Sequence, residues 1–401
     1  VHTVFSLKPE GVNAPLFEVE PREGRHFHDV WNHQEVELAE IDDATYATVE
    51  VRGFDEAWLG TRREGNVSVI VDFPEALDVR RDGDTLFVSA DRGDSIVVTP
   101  GAPTYQNKGK AYPVESLTLK LLDEFGRYEG DYVVQLFEDG ELIDQRVESI
   151  AYATARLVSE VVRTERAKDA PDGMIEIPAG EFQFITEKNE GIIPYPDFSD
   201  SAIISMPRFF VDKHPVTNAQ YKEFLDATNY RPEDDANFLK HWNGETYPNE
   251  LANHPVVYVS IEDAKAYAAW AGKRLPTQVE WQYAAQGEDG HAYPWGDEFD
   301  STKCNNASGA TTPVAAFPEG ENQFGVADLV GNVWQMTNDV YDNVTYYFQI
   351  LKGGSFFKPT SSWWYVEGGP HNVRRQQMLL LTSPGYDRQA TVGFRCVKDA
   401  K

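Results

Sequence analysis

Arg274-Leu-Pro-Thr-Gln-Val-Glu-Trp-Gln-Tyr-Ala-Ala285 is the stretch that decides the fold of this chain. Thr277 followed three residues later by Glu280 is a capping box, in which a hydroxyl takes the free N–H of the first turn and the carboxylate reaches back. It predicts a helix from Gln278 to Gln286 that stops at Gly287. The same signature recurs at Thr217-Asn-Ala-Gln220 and Ser260-Ile-Glu-Asp263. Helices are therefore predicted from about Asn218 to Ala227 and from about Ile261 to Ala271, the latter stopped by Gly272. Beyond Gly287 the chain is rich in Gly, Asn, Pro and aromatic residues and has little periodicity, so contacts or ions must hold it.

Upstream the texture is different. Tyr46-Ala-Thr-Val-Glu-Val51, Val67-Ser-Val-Ile-Val71 and Thr85-Leu-Phe-Val-Ser89 are short and β-branched, and Ser116–Leu122, Asp131–Phe137 and Leu142–Ile150 continue the pattern. Asp82-Gly83 and Asp139-Gly140 lie between such runs, as tight hairpin turns require. Residues 1–168 read as an all-β, Ig-like sandwich region of one or two modules. The charged segment from Thr164 to Gly173, closing in Asp169-Ala-Pro-Asp-Gly173, reads as a linker to a second domain over 169–401.

The chain has 401 residues, 65 acidic against 36 basic, for a formal charge of −29. Up to residue 170 there are 18 basic and 34 acidic residues, and after it 18 and 31, so the acidity is spread rather than gathered into a tail. Such a field repels phosphate backbones and anionic lipid, which argues against nucleic acid as a partner. No apolar run approaches the ~18 residues of a membrane span. Two cysteines, Cys304 and Cys396, make no disulfide framework. A start at Val1 fits a processed precursor, and a secreted or cell-surface location is the expectation. The sequons at Asn66, Asn306 and Asn343 add little. His26-Phe-His28 with His33 has the spacing of two metal ligands on one strand face, set against the plainer reading of surface histidines.

Nine motifs in order carry a resemblance over about Met174 to Val397. They are Met174-Ile-Glu-Ile-Pro-Ala-Gly180, Pro215-Val-Thr-Asn-Ala-Gln-Tyr221, His254-Pro-Val-Val-Tyr-Val-Ser260 and Tyr267-Ala-Ala-Trp-Ala-Gly-Lys-Arg-Leu-Pro276 with the run that opens this section. Tyr293-Pro-Trp-Gly296, Asn322-Gln-Phe-Gly325, Asp328-Leu-Val-Gly-Asn-Val-Trp334, Gly353-Gly-Ser355 and Gly393-Phe-Arg395 complete them. This region resembles the formylglycine-generating enzyme, or sulfatase-modifying factor, family. The resemblance implies an α+β domain with a C-type-lectin-like fold and much irregular structure.

The family's oxidases convert a substrate cysteine with a copper-binding cysteine pair that follows the Gly-Gly-Ser motif. Counted from Ser355, those positions are Lys358 and Trp363, and Phe356 to Gln377 contains no cysteine. Neither side chain replaces a thiolate on copper(I), so no copper is expected. By the same resemblance Cys396 is a buried free thiol, its usual partner position being Ala268, and Cys304 is expected as a surface or loop thiol. The family's calcium site implies Asp328, the carbonyls of Gly331 and Val333, and the side chain of Gln335, with Asp328 and Asn332 merely holding a turn as the alternative. A second family calcium site after Asn305-Asn306 is expected to be lost, for want of an aspartate before Pro313. Gln278, Gln282 and Gln335 stand where the family usually has glutamate, and His214 where glutamate is common.

The groove of the resemblance would hold Ser355, Lys358, Trp363, Trp364, Tyr365, Glu367, His371, Arg374 and Arg375. Exposed aromatic faces beside polar groups suit sugars or peptides, whereas packed tryptophans are the plainer alternative. Two functions follow. One is a non-catalytic extracellular binding or assembly protein with a glycan, peptide or protein partner, self-assembly included. The other is an enzyme of altered, cysteine-independent chemistry that uses a metal or the His371, Arg374 and Arg375 cluster.

Overall fold

The computed structural model describes residues 1–6, 10–51, 67–187, 202–358, 368–381 and 385–401. Trp363, Trp364, Tyr365 and Glu367 lie outside the described residues, as does Asn66. Most regular structure is β, with few helices and no closed barrel among the described residues. The chain forms two compact units, Val1–Thr154 and Ala155–Lys401.

Among the described residues the strands of the first unit all pair antiparallel. Its sheets gather around two apolar clusters, one centred on Ala47, Val49, Val51 and Ile70 and the other on Leu86, Ile96, Val98, Tyr132 and Val134. Alternation along the strands makes this possible: Ile96 and Val98 face inward from Ser95–Pro100 while their neighbours face the other way. The hairpin between Gly130–Glu138 and Glu141–Ile150 turns on Asp139 and Gly140, both at positive φ (52° and 82°), the conformation that matches strand twist. One expectation changes here. Ser116–Leu122 is strand only over Leu117–Lys120, after which the chain makes a short helix, α1 (Leu121–Phe125). Asp84 starts it by accepting from Leu122 N–H.

His26, His28 and His33 are not plain surface residues: His26 and His33 are half-buried. His28 is fully buried, and His26 donates or accepts at 2.7 Å with the buried carboxylate of Asp144. His26 and His28 rings lie 6.1 Å apart. No cluster of three or more His, Cys, Asp or Glu suited to a metal occurs among the described residues.

In the second unit the three capping boxes are complete. They start α2 (Asn218–Thr228), α3 (Ile261–Trp270) and α4 (Gln278–Gln286). The compact-unit boundary falls before the charged Thr164–Gly173 segment. Arg156–Leu157 pairs with Trp334–Asp342, and Thr164 N–H donates to Asp399 at 2.7 Å, so the segment runs along this unit. A central sheet orders Arg156–Leu157, Trp334–Asp342, Tyr347–Lys352 and Gln377–Leu380, with Val392–Gly393 alongside. A second sheet joins Met174–Ile177, Phe209–Asp212 and Val397–Asp399. Two large apolar cores result, with a smaller one at Tyr341, Phe348 and Ile350. Tyr221, Phe224, Tyr267 and Phe394 dominate one, and Phe182, Phe209, Trp281 and Tyr283 the other.

Candidate functional site

The opening motif works as a clamp. Arg274 donates to Glu280 at 2.6 Å and 2.7 Å and to Asp399 at 2.7 Å, all three side chains being buried. Glu280 serves twice, since it also accepts from Thr277 N–H to close the capping box. Burial opposes charge on Asp399, but hydrogen bonds from Arg274 and Thr164 hold its carboxyl well below the usual range.

The Gly-Gly-Ser segment follows from close backbone approach. A Cβ on Gly353 would lie 2.3 Å from the Leu329 carbonyl, and one on Gly354 2.3 Å from the Gly369 carbonyl. Both glycines sit at positive φ, 88° and 79°. Ser355 follows them into the interior, its N–H donating to Gly369 while its hydroxyl accepts from Phe357 N–H. Lys358 emerges exposed just beyond. The ring of His371 stacks on Trp334 at 5.3 Å, and the His371 backbone N–H donates to the Gly353 carbonyl. Arg374 is turned away, donating to the Gly290 carbonyl at 2.9 Å, and Arg375 N–H donates to Asn372. Ser355, Lys358 and His371 thus line one segment, and Arg374 is engaged in holding a loop.

Beneath them is a polar layer that the sequence reading did not single out. Lys352 is fully buried; its ammonium donates to Gln282 Oε1 at 3.0 Å and to the Arg374 carbonyl at 3.4 Å, and lies 5.9 Å from the Trp281 ring centre. Gln278, Gln282 and Gln286 repeat every four residues along α4 and share one face. Gln278 donates to Tyr341 and accepts from Gln376. Burial pushes Lys352 down to about 7 against the pull of Asp339 and Glu187, and burial raises Asp339 to about 6. No carboxylate touches the Lys352 ammonium among the described residues.

The expected calcium set does not assemble. Both lone pairs of Gln335 Oε1 are taken, by Trp281 Nε1 at 2.9 Å and by Arg395 Nε, and its amide N–H donates to the Asp328 and Leu329 carbonyls. The guanidinium of Arg395 also donates to the carbonyls of Asp212, Lys213, Ala327 and Asp328. A cation drawing on Gln335 would meet this buried guanidinium first, so these residues as arranged do not fit calcium, which needs several convergent oxygens. Burial lowers Arg395 to about 10, with Asp328 and Asp212 opposing. Asp328 and Asn332, both at positive φ, instead tie down the 305–315 loop: Asp328 accepts from Ala315 N–H, and Asn332 accepts from Thr312 N–H and donates back to its carbonyl. His214 stands 3.5 Å from Asp328 Oδ2.

The two thiols are free and buried in different cores. Cys304, expected near the surface, packs with Leu329 and Val330, and burial pushes its thiol up to about 12. Burial likewise raises Cys396 well above its ordinary value. Neither is poised as a thiolate.

The profile of the sulfatase-modifying factor enzyme 1-like domain matches residues 159–400. The chain belongs to this family. Among its relatives, the uncharacterized protein YfmG of Bacillus subtilis (strain 168) is 30% identical over 352 residues, covering 74% of this chain and 68% of YfmG. Inactive C-alpha-formylglycine-generating enzyme 2 of Bos taurus is 29% identical and covers 57% of this chain and 88% of its own length. Formylglycine-generating enzyme of Mycobacterium tuberculosis is 28% identical, covering 56% and 97%. Sulfatase-modifying factor relatives therefore include both active and inactive proteins, and the scaffold alone does not fix the activity. The Lys352–Gln282 contact was missed because it joins positions 70 residues apart. The one available signal was the set of glutamines at family glutamate positions.

Proposed function

We propose that this sulfatase-modifying factor relative is a non-catalytic, exported binding or assembly protein, its first unit an Ig-like β region and its second the family scaffold. The observation that carries the reading is the state of the thiols. The family's paired positions are Lys358 and Trp363, and Cys304 and Cys396 are buried, protonated and in separate cores. A copper oxidase needs two accessible thiolates at one point. The inactive formylglycine-generating enzyme 2 of Bos taurus supports the reading by example, as a relative on this scaffold that is named for its lack of activity. Uniform acidity fits a protein that does not engage nucleic acid.

The test is direct. The purified chain is incubated with copper(I), oxygen and a cysteine-containing peptide, and aldehyde is trapped with an aminooxy probe. No aldehyde is expected, and the isolated protein should carry no stoichiometric copper or iron. Aldehyde formed above the peptide-only control, or one copper per chain, overturns the proposal.

A further inference from the structure

The first unit contains a cleft that the family scaffold does not explain. Its volume is about 850 Å³, and it runs between the loop at residues 30–34 and the loop at residues 101–106. Two aromatic side chains stand out along it, Trp31 at 52% exposure and Tyr105 at 91%. Single exposed aromatics are ordinary on protein surfaces. Two of them lining one concavity, each on a clamped turn, are a different matter.

The clamps are specific. The buried carboxylate of Asp29 accepts from the N–H groups of Trp31, Asn32 and Val69 at 3.0 Å, 3.2 Å and 3.1 Å, and from the Asn32 side chain at 2.7 Å. His33 then turns the chain back at φ 55°. Across the cleft, Asn107 donates to the carbonyls of Pro100 and Ala102, and Thr104 and Asn107 bond to each other in both directions. Lys108 lies 5.7 Å from the Tyr105 ring centre on one face. Trp31 and Tyr105 are therefore presented by fixed backbone, so less ordering entropy is lost when a ligand docks.

The rest of the lining selects the ligand class. Asn32, Gln34 and Gln106 bring amides, and Thr104 and Tyr128 hydroxyls. Glu50 and Asp131 supply carboxylates, and no lysine or arginine is among the described residues that line the cleft. An anionic ligand would meet the two carboxylates, with the Lys108 ammonium beside Tyr105 as a counter-charge on one side. A lone ammonium would suit the aromatics and carboxylates, but it fills a small part of this volume and leaves the amides and hydroxyls unpaired. Sugar rings offer apolar C–H faces for stacking and hydroxyls that both donate and accept, as amides do.

We propose that the cleft between residues 30–34 and 101–106 binds a neutral oligosaccharide, stacked on Trp31 and Tyr105 and hydrogen-bonded by the amide and carboxylate lining. The whole protein is tested on an array of neutral, anionic and cationic glycans and basic peptides, and hits are followed by calorimetry. A neutral oligosaccharide should bind, and Trp31→Ala and Tyr105→Ala should each weaken it at least tenfold. Tyr152→Ala, which removes another exposed aromatic outside the cleft, should leave binding unchanged. Thermal melts confirm that each variant is folded, and Trp31→Phe should recover part of the affinity. Three results would overturn the proposal: no neutral glycan bound at millimolar concentration, binding indifferent to both alanine variants, or binding confined to charged ligands.

Discussion

Lys352 shows how one missing carboxylate reshapes a site. Gln282 stands where the family usually has glutamate, and its amide oxygen faces this ammonium at 3.0 Å. A fully buried amine with only neutral acceptors in contact gives up its proton near pH 7, whereas the unfolded chain keeps it to the ordinary lysine value of 10.5. Between those values the unfolded state binds more protons, so stability of the second unit rises with pH across the window, by up to about 1.4 kcal/mol per pH unit. Hydrogen exchange of the strand Tyr347–Lys352, read at pH 7, 8 and 9 after correction for intrinsic rates, should show growing protection. Lys352→Met should abolish that slope, and Gln282→Glu should flatten it by keeping the amine charged. An unchanged slope in Lys352→Met would assign the effect elsewhere. The glutamines were legible in the sequence as departures from a family pattern, but their consequence was not. A hydrogen bond between residues 282 and 352 is a product of tertiary packing, and no local rule points from one to the other. Gln335 teaches the same lesson: its change from glutamate suggested a weakened calcium site, while the folded chain commits its amide to Trp281 and Arg395.

Elements were far more legible, because capping is local chemistry. Each of α2, α3 and α4 starts where a hydroxyl and a reciprocal side chain three residues on predicted it, and α4 also ends at the predicted residue. The long segment after Gly287 was readable only as irregular, yet from Trp334 on it supplies strands of the central sheet; up to there side-chain bonding to backbone holds it, as Asn305, Asn322 and Asn332 illustrate. For α4 the cap and the ion pair can be separated. Thr277→Ala removes the hydroxyl that accepts from Glu280 N–H and should cost about 1 kcal/mol. Glu280→Gln keeps an acceptor for the Thr277 N–H but withdraws one of the two carboxylates on buried Arg274, and should cost at least about 2 kcal/mol. Denaturant unfolding followed through peptides of the second unit measures both. Equal costs would mean that Glu280 acts as a cap and little else. Ser260→Ala at α3, where Asp263 also pairs with Arg388, should resemble Thr277→Ala, because the carboxylate pair stays intact.

At the scale of the whole molecule the two units should part in mild acid. In the first, burial holds neutral His28 down at about 4, beside His26, His33, Glu35 and Arg146, and His33 is lowered as well. A histidine that protonates at 6.5 when unfolded but near 4 when folded contributes stability that is complete above 6.5 and lost as pH falls toward 4. For His28 alone the loss approaches about 3 kcal/mol. The second unit has groups of both signs in the same window. Burial lowers His241 to about 4, which weakens that unit in acid, while burial raises Asp339 to about 6, and a raised carboxylic acid adds stability as pH falls from 6 toward its unfolded value of 3.8. These two contributions largely offset each other. Hydrogen exchange compared at pH 7 and pH 4.5 should therefore show the strands of the first unit, such as Val67–Pro74 against Arg25–Asp29, opening well before Trp334–Asp342 and Tyr347–Lys352 in the second. His28→Phe, which keeps an aromatic ring in the buried position and cannot take a proton, should remove most of the first unit's acid sensitivity. The two units would open together if Asp339 did not compensate His241, and Asp339→Asn, which ends the compensation, should move the second unit toward the behaviour of the first.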